Sequence, residues 1–554
     1  MKKSAFILLA FLLLISCKKE DIFDICSRMN DSVFQEYCYT SFDLNNDGIV
    51  SEEEAKSVKR IDCSNSAISS IKGIEYFPNI IELRCGGNNL TTIDILGFTS
   101  LQLLDCSNNR LSTLNLLGCP SLTTIDCSGN NLISIDVLSH KSLYRLICRE
   151  NNFRTLNVSG CESLTELDCA KNSLAELNIS GCIWLKRLIC SENKLTTLSL
   201  SDCSALEYLE CDNNSLNSLI FTGQPLQQLI CNKNNLTTLE LFAYPLLRKL
   251  DCSNNNLTNL NVLSCYSLET LDCSYTNIFM LNIGLTNLSV LDVSECKLLE
   301  YLACGANKLT TLNISGCTLL GTLYCNENNL TTLDVSGFSS LRELDCSKNY
   351  SLTSLIVSGC TSLSSINCSY SSLATLDAVS CTALALLNCS HGNLTSLNIP
   401  DELMSLDCSE NNFNILDLSR CISLHTLICI NNNLTTLDIS QCTYLLSLDF
   451  SGNNLSTLDA SSSPFLQILN CSDNDKLTSV YVPGCRIVNL NVSKCPLLEY
   501  LDCQDNSYIS IIDVSECALY MRIDCSYGLA IIYIREGQTI EKDTYPNNAR
   551  VEYI

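Results

Sequence analysis

The stretch "LQLLDCSNNRLSTLNLLGCPS", residues 101–121, decides the fold, because it returns along the chain with its apolar positions kept. Residues 164–184 read "LTELDCAKNSLAELNISGCIW", and residues 341–362 read "LRELDCSKNYSLTSLIVSGCTS". Together they give LxxLxCxxNxLxxLxVxxC. In LxxLxC the last Leu and the Cys are separated by one residue, the spacing of a strand with one buried face, so the Cys points inward. This position occurs 22 times, with Phe450 replacing Cys once, and an Asn stands three residues later at 17 of them. So regular a period means stacked coils with a continuous core, and the expectation for the 554-residue chain becomes one long domain instead of three or four.

The motif resembles the leucine-rich repeat, and more closely its bacterial variant whose 21-residue unit nests two similar halves. The resemblance covers residues 63 to about 525. It implies a mainly β repeat solenoid of leucine-rich coils. It also implies an asparagine ladder, with residues such as Asn88, Asn109, Asn130, Asn328 and Asn453 bonding backbone groups of neighbouring coils.

Thirty-eight cysteines raise the question of metal or disulfide chemistry. Zinc sites need pairs a few residues apart or histidines nearby, whereas the spacing here is 21 and His140, His391 and His425 are scattered. Parallel strands bring successive Cys Cα atoms to about 4.8 Å, but their Cβ vectors run side by side instead of converging. The expectation is buried, unreactive thiols that act as small apolar fillers. A second column, including Cys119, Cys161, Cys182, Cys203 and Cys317, receives the same reading. Each candidate nucleophile or base recurs down the ladder and no His stands beside one, so the chain reads as non-enzymatic.

The first 17 residues read as an address. Lys2 and Lys3 precede the apolar run "AFILLAFLLLI", too short to span a bilayer, and "LISC" follows. That segment resembles the lipobox of bacterial lipoproteins, which implies lipidation of Cys17 and a membrane tether. Lys19, Glu20 and Asp21 resemble the signal by which some gut-dwelling Gram-negative bacteria send lipoproteins to the outer leaflet, implying outer-membrane, cell-surface display.

Residues 18–62 read as a tether and a small helical head. The stretch "FDLNNDGIVSEEE", residues 42–54, meets each requirement of an EF-hand loop. Asp43, Asn45 and Asp47 supply oxygens, Gly48 the turn, Ile49 its carbonyl, Ser51 a water-bridged contact, and Glu54 the bidentate carboxylate, with Ca²⁺ the implied ion. Phe34, Cys38 and Phe42 share one helical face before the loop. A lone loop suits a structural ion at the head of the stack better than a sensor. Cys26 and Cys38 lie in this head, and an exported protein admits a disulfide between them.

The outward residue before each Cys forms a stripe that includes Asp105, Asp126, Ile147, Asp168, Ile189, Asp251 and Asp272. A second stripe runs from Asp94 through Asn157 and Asp334 to Asp513. Either these residues fit tight turns on a solvated face, or they form a surface for a cationic protein, a glycan or further calcium. A net charge of −25 opposes nucleic acid. The whole reads as a surface binding or adhesion protein with an unnamed extracellular protein or glycan partner, or alternatively as a coat or spacer. Residues 63–528 are assigned to the repeats and 529–554 to a C-terminal cap of short strands.

The period fails twice. From Cys273 to Cys304 the interval is 31, and from Cys471 to Cys503 it is 32. The extra segments, "LSVLDVSECKL" and "IVNLNVSKCPL", are themselves half-repeats. If the halves are equivalent, the first insertion sends the Cys column to the opposite face and the second brings it back.

Overall fold

A computed structural model describes residues 23–262, 264–284, 286–525, 529, 531–541 and 549–554. The leader, Cys17 and the segment with Lys19, Glu20 and Asp21 lie outside the described residues. The chain divides into two units, one ending at Glu240 and the other beginning at Leu241.

In the first unit, short parallel strands stack in chain order, beginning with Arg60–Asp62, Glu82–Arg84, Leu103–Asp105 and Thr124–Asp126 and reaching Gln228–Ile230. The first of them lies within the segment that the sequence assigned to the head. Register is strict: Leu83 faces Leu104, Leu104 faces Ile125, and Ile125 faces Leu146. Each central residue is fully buried, as are the Cys that follows and the Leu after the turn, for example Leu104, Cys106 and Leu111. A fully buried Leu contributes about 1.5–3 kcal/mol, so the repetition of this triplet is what drives the stack.

Every described cysteine is a free thiol, and all but Cys525 are buried. Asparagines bind consecutive coils together. Asn109 donates from Nδ2 to the carbonyls of Cys85 (3.0 Å) and Cys106 (3.1 Å), while its Oδ1 accepts from the Leu90 N–H at 2.9 Å. Asn130 and Asn328 repeat the arrangement. Asn109 Nδ2 also lies 3.1 Å from the Ser107 carbonyl, so one amide serves four backbone groups where the chain turns and neither sheet nor helix can do so.

The second thiol column is more than filler. Cys119 donates to the Ile95 carbonyl at 3.1 Å, Cys265 to Leu241 at 3.2 Å and Cys317 to Val293 at 3.1 Å, each 24 residues back. Asn109 reaches back the same 24 residues to Cys85. The second column is therefore a ladder of thiol donors that occupies, in one half-repeat, the place the asparagines hold in the other.

In the second unit the halves exchange places. Thr270–Asp272 pairs not with the next Cys strand but with Val290–Asp292, setting Leu271 opposite Leu291. The next Cys strand, Tyr301–Ala303, pairs with Met280–Asn282. Further on, Ile468–Asn470 pairs with Asn489–Asn491, and Tyr500–Cys503 pairs with Ser479–Tyr481. Both extra segments are incorporated into the stack. The Cys column changes face at the first and returns at the second, as the equivalence of the halves predicts.

The segment expected to form a C-terminal cap continues the stack in its described part. Ile531–Ile534 pairs in parallel with Ile511–Asp513 on one side and Arg550–Tyr553 on the other.

Candidate functional site

Two helices frame the loop: α1, Ser32–Phe42, and α2, Glu52–Ser57. Phe34, Cys38 and Phe42 are buried, and the Phe42 ring lies 5.2 Å from that of Phe77, which closes the head onto the first coils. Ser51 caps α2 in a reciprocal box: its hydroxyl accepts from the Glu54 N–H, and Glu54 Oε2 accepts from the Ser51 N–H at 2.9 Å. Cys26 and Cys38 stand together as buried free thiols joined by a hydrogen bond, which, together with burial, pushes the Cys38 thiol far up.

Asp43 accepts from the N–H groups of Asp47 (3.1 Å) and Gly48 (2.9 Å), and Asn45 Oδ1 accepts from Asp47 at 2.8 Å. Gly48, at φ +85°, makes the turn that other residues resist. Glu54 turns inward, and its Oε1 accepts from the N–H groups of Leu44 (3.0 Å) and Asn45 (3.3 Å). Burial works against its charge, but the bonds from Ser51, Leu44 and Asn45 prevail and hold its carboxyl below the usual range. Among the described residues no three His, Cys, Asp or Glu side chains gather closely enough to hold a metal. The donors are nonetheless all oxygens, as a hard cation requires, and the loop's own N–H groups occupy the carboxylates.

The sequence reading missed Asp24 and Asp31. Val50 finds its partners within the head: Ile25 N–H donates to the Val50 carbonyl at 3.1 Å, and Val50 N–H to Asp24 Oδ1 at 3.3 Å. Asp31 caps α1 through Oδ1, and its Oδ2 accepts from Ser69 N–H (2.7 Å), Ser69 hydroxyl (2.6 Å) and Ser70 N–H (3.1 Å). Helix and first coil thus share one carboxylate. An Asp directly before "SVFQ" is a legible helix cap; its second set of partners, 38 residues on, is not.

Many aspartates of the outward stripes hold turns. Asp105 accepts from both the N–H and the hydroxyl of Ser107, and Asp126, Asp251 and Asp272 do the same with Ser128, Ser253 and Ser274. Asp168 holds the Ala170 N–H, and Asp94, Asp334 and Asp513 repeat the device on the other stripe. Burial pushes the carboxyls of Asp168 and Asp272 up. Ile147 and Ile189 flank Asp168 on adjacent strands as partly exposed outward residues. The three histidines occupy separate coils: His140 is buried, His391 stacks on Tyr370, and His425 Nδ1 lies 2.6 Å from the Ser423 carbonyl. Among the described residues no helix is long and apolar enough to cross a membrane.

Residues 99–140 match the family model described as Leucine Rich repeats (2 copies). The repeats have the leucine-rich repeat fold. Internalin J of Listeria monocytogenes serotype 4b (strain F2365) is 33% identical over 65 residues, which are 12% of this chain and only 7% of that protein's length. Among solved structures, the functional domain of InlJ from Listeria monocytogenes, described as including a cysteine ladder, is similar at 26% identity. That match covers 83% of this chain and 82% of the other, at a TM-score of 0.39. YopM from Yersinia enterocolitica WA-314 is similar at 22% identity over 86% of this chain and 91% of that one, at a TM-score of 0.35.

Proposed function

We propose that this leucine-rich repeat protein is a non-catalytic binding or adhesion module, displayed on the cell surface by a lipid on Cys17 and steadied at its head by Ca²⁺ held by Asp43, Asn45, Asp47, Ile49, Ser51 and Glu54. Its ligand is an extracellular protein or glycan. The observation that carries this reading is the outward placement of Ile147 and Ile189 on neighbouring strands of the Asp168 coil. The aspartates around them serve turns, whereas these two apolar side chains stand partly exposed on the outer face, and apolar residues on a rigid face are what a binding surface uses.

The turn-holding role of the aspartates favours a second reading, in which the repeats coat or space and bind nothing. Immobilising the chain from Lys18 onward with calcium present, and passing host mucus over it, separates the two. Capture of an extracellular protein or glycan that is lost in I147D/I189D supports the binding face. Equal capture by that variant sinks the face, and no capture favours the coat.

A further inference from the structure

One column of the first unit departs from the rest. Two residues after the outward residue of the second half-repeat most coils carry a small polar residue, as at Ser159 and Ser180, whose N–H groups bond to Asn157 and Asn178. Three consecutive coils carry Leu instead: Leu96, Leu117 and Leu138, exposed by 59%, 70% and 45%. Each stands eight residues before a paired strand centre, Leu104, Ile125 and Leu146, so the three stack in register. The Gly97 N–H donates to the Leu117 carbonyl, which fixes the contact between the first two.

The strip begins where the chain enters the head. The Phe23 ring lies 6.3 Å from that of Tyr76, with the Arg28 guanidinium 4.5 Å above it. Tyr76 and Gly97 each precede a paired Leu, Leu83 and Leu104, by seven residues. They therefore occupy the same place in adjacent coils, about 4.8 Å apart. From Cys17 to Phe23 the chain spans at most about 20 Å at full extension.

We infer that Leu96, Leu117 and Leu138 rest on the lipid surface that holds the anchor, dipping shallowly at the boundary between headgroups and acyl chains. The inference rests on the proposed acylation of Cys17: a lipid there keeps the Phe23–Tyr76 end beside the bilayer, and the exposed leucines are the nearest apolar column. Asp94, Asn115 and Asp136 each accept the N–H of the adjacent leucine on one oxygen, and Glu75, in register with Leu96 in the preceding coil, accepts the Gly73 N–H; the carboxylates stay exposed, so only the leucine side chains dip and the contact is shallow. The strip would fix how the solenoid leaves the membrane, which a tether alone leaves free.

The test uses the full chain, processed from its own leader and reconstituted into phosphatidylcholine vesicles with brominated acyl chains. Trp184 is the only tryptophan, so W184F gives a dark background. L117W in that background should be quenched at least twofold more than I415W, a position equally exposed at 70%. Adding L96S and L138S to L117W should abolish the difference. Equal quenching in protein whose Cys17 peptide carries acyl chains overturns the strip and leaves the anchor standing. A Cys17 peptide without acyl chains overturns both.

Discussion

Asn307 donates from Nδ2 to the carbonyl of Ile283 at 3.0 Å, a bond that Asn109 makes to the carbonyl of a cysteine, Cys85. On the other side of the same switch Cys296 donates to the Cys273 carbonyl at 3.1 Å, where an asparagine would otherwise stand. Either ladder can follow either half-repeat. Deleting Ser289–Leu298 restores the 21-residue interval, and the shortened chain should stack with its Cys column on the original face. Circular dichroism and thermal unfolding should show the native strand signal and one cooperative transition. A deletion that aggregates or loses the transition would mean that the halves are not interchangeable.

The ladder amides should be costly to remove. Asn349 is fully buried, donates to the carbonyls of Cys325 (3.0 Å) and Cys346 (2.9 Å), and accepts from the Leu330 N–H. N349A leaves these groups buried without partners, at about 1–3 kcal/mol each before relaxation. We expect about 3 kcal/mol of destabilisation by denaturant titration, and a loss below 1 kcal/mol would show that water or backbone shifts replace the amide.

The repeat was legible because its signal is local and repeated. LxxLxC fixes which residues face inward, and the half-unit inserted before Cys304 can be counted directly. What escaped has its partners far along the chain. Nothing near Cys119 announces a bond to Ile95, and nothing near Asp31 announces Ser69. The turn-forming role of Asp105 was open beside the binding role until Ser107 was seen to hold it.

The thiols should be silent in the folded state. Burial pushes Cys63 and Cys304 up to about 12, and Cys85, Cys106 and Cys148 well above the usual thiol value. Cys296 is the exception: a hydrogen bond from the Cys273 thiol, aided by Thr276, lowers it to about 7 against the effect of burial. A thiol reagent at pH 8 should label few sites natively and nearly all after denaturation, with Cys296 the first labelled as the coils loosen. Denatured, unreduced protein with almost no free thiol would instead reveal an extensive disulfide network.

The joint between head and first coil should weaken in acid. Burial raises the Asp31 carboxyl, but the bonds from Ser69, Phe34 and Ser70 prevail and hold it below its ordinary value of 3.8. Its contribution is therefore fully present above that value and is lost as the pH falls through the lower, folded one. Protection of the Ser69 amide, measured against its intrinsic exchange rate, should fall below about pH 4. D31A should show fast exchange at every pH and cost about 1 kcal/mol as a lost helix cap. Unchanged exchange in D31A would remove Asp31 from the joint.

Calcium should tighten the head. Without a cation, Asp43, Asp47 and Glu54 are held only by N–H groups of their own loop and by the Ser51 hydroxyl. A hard ion with six to eight oxygen ligands would draw the carboxylates inward and offset their repulsion. Titration calorimetry should detect one site, and chelation should speed proteolysis near residue 50. Glu54→Gln removes the bidentate carboxylate, so it should weaken binding at least tenfold, while the cap from Ser51 to the residue-54 N–H keeps α2 folded. Undiminished calcium binding by this variant, with cleavage indifferent to chelator, would mean that the loop is an acidic turn closed by its own backbone.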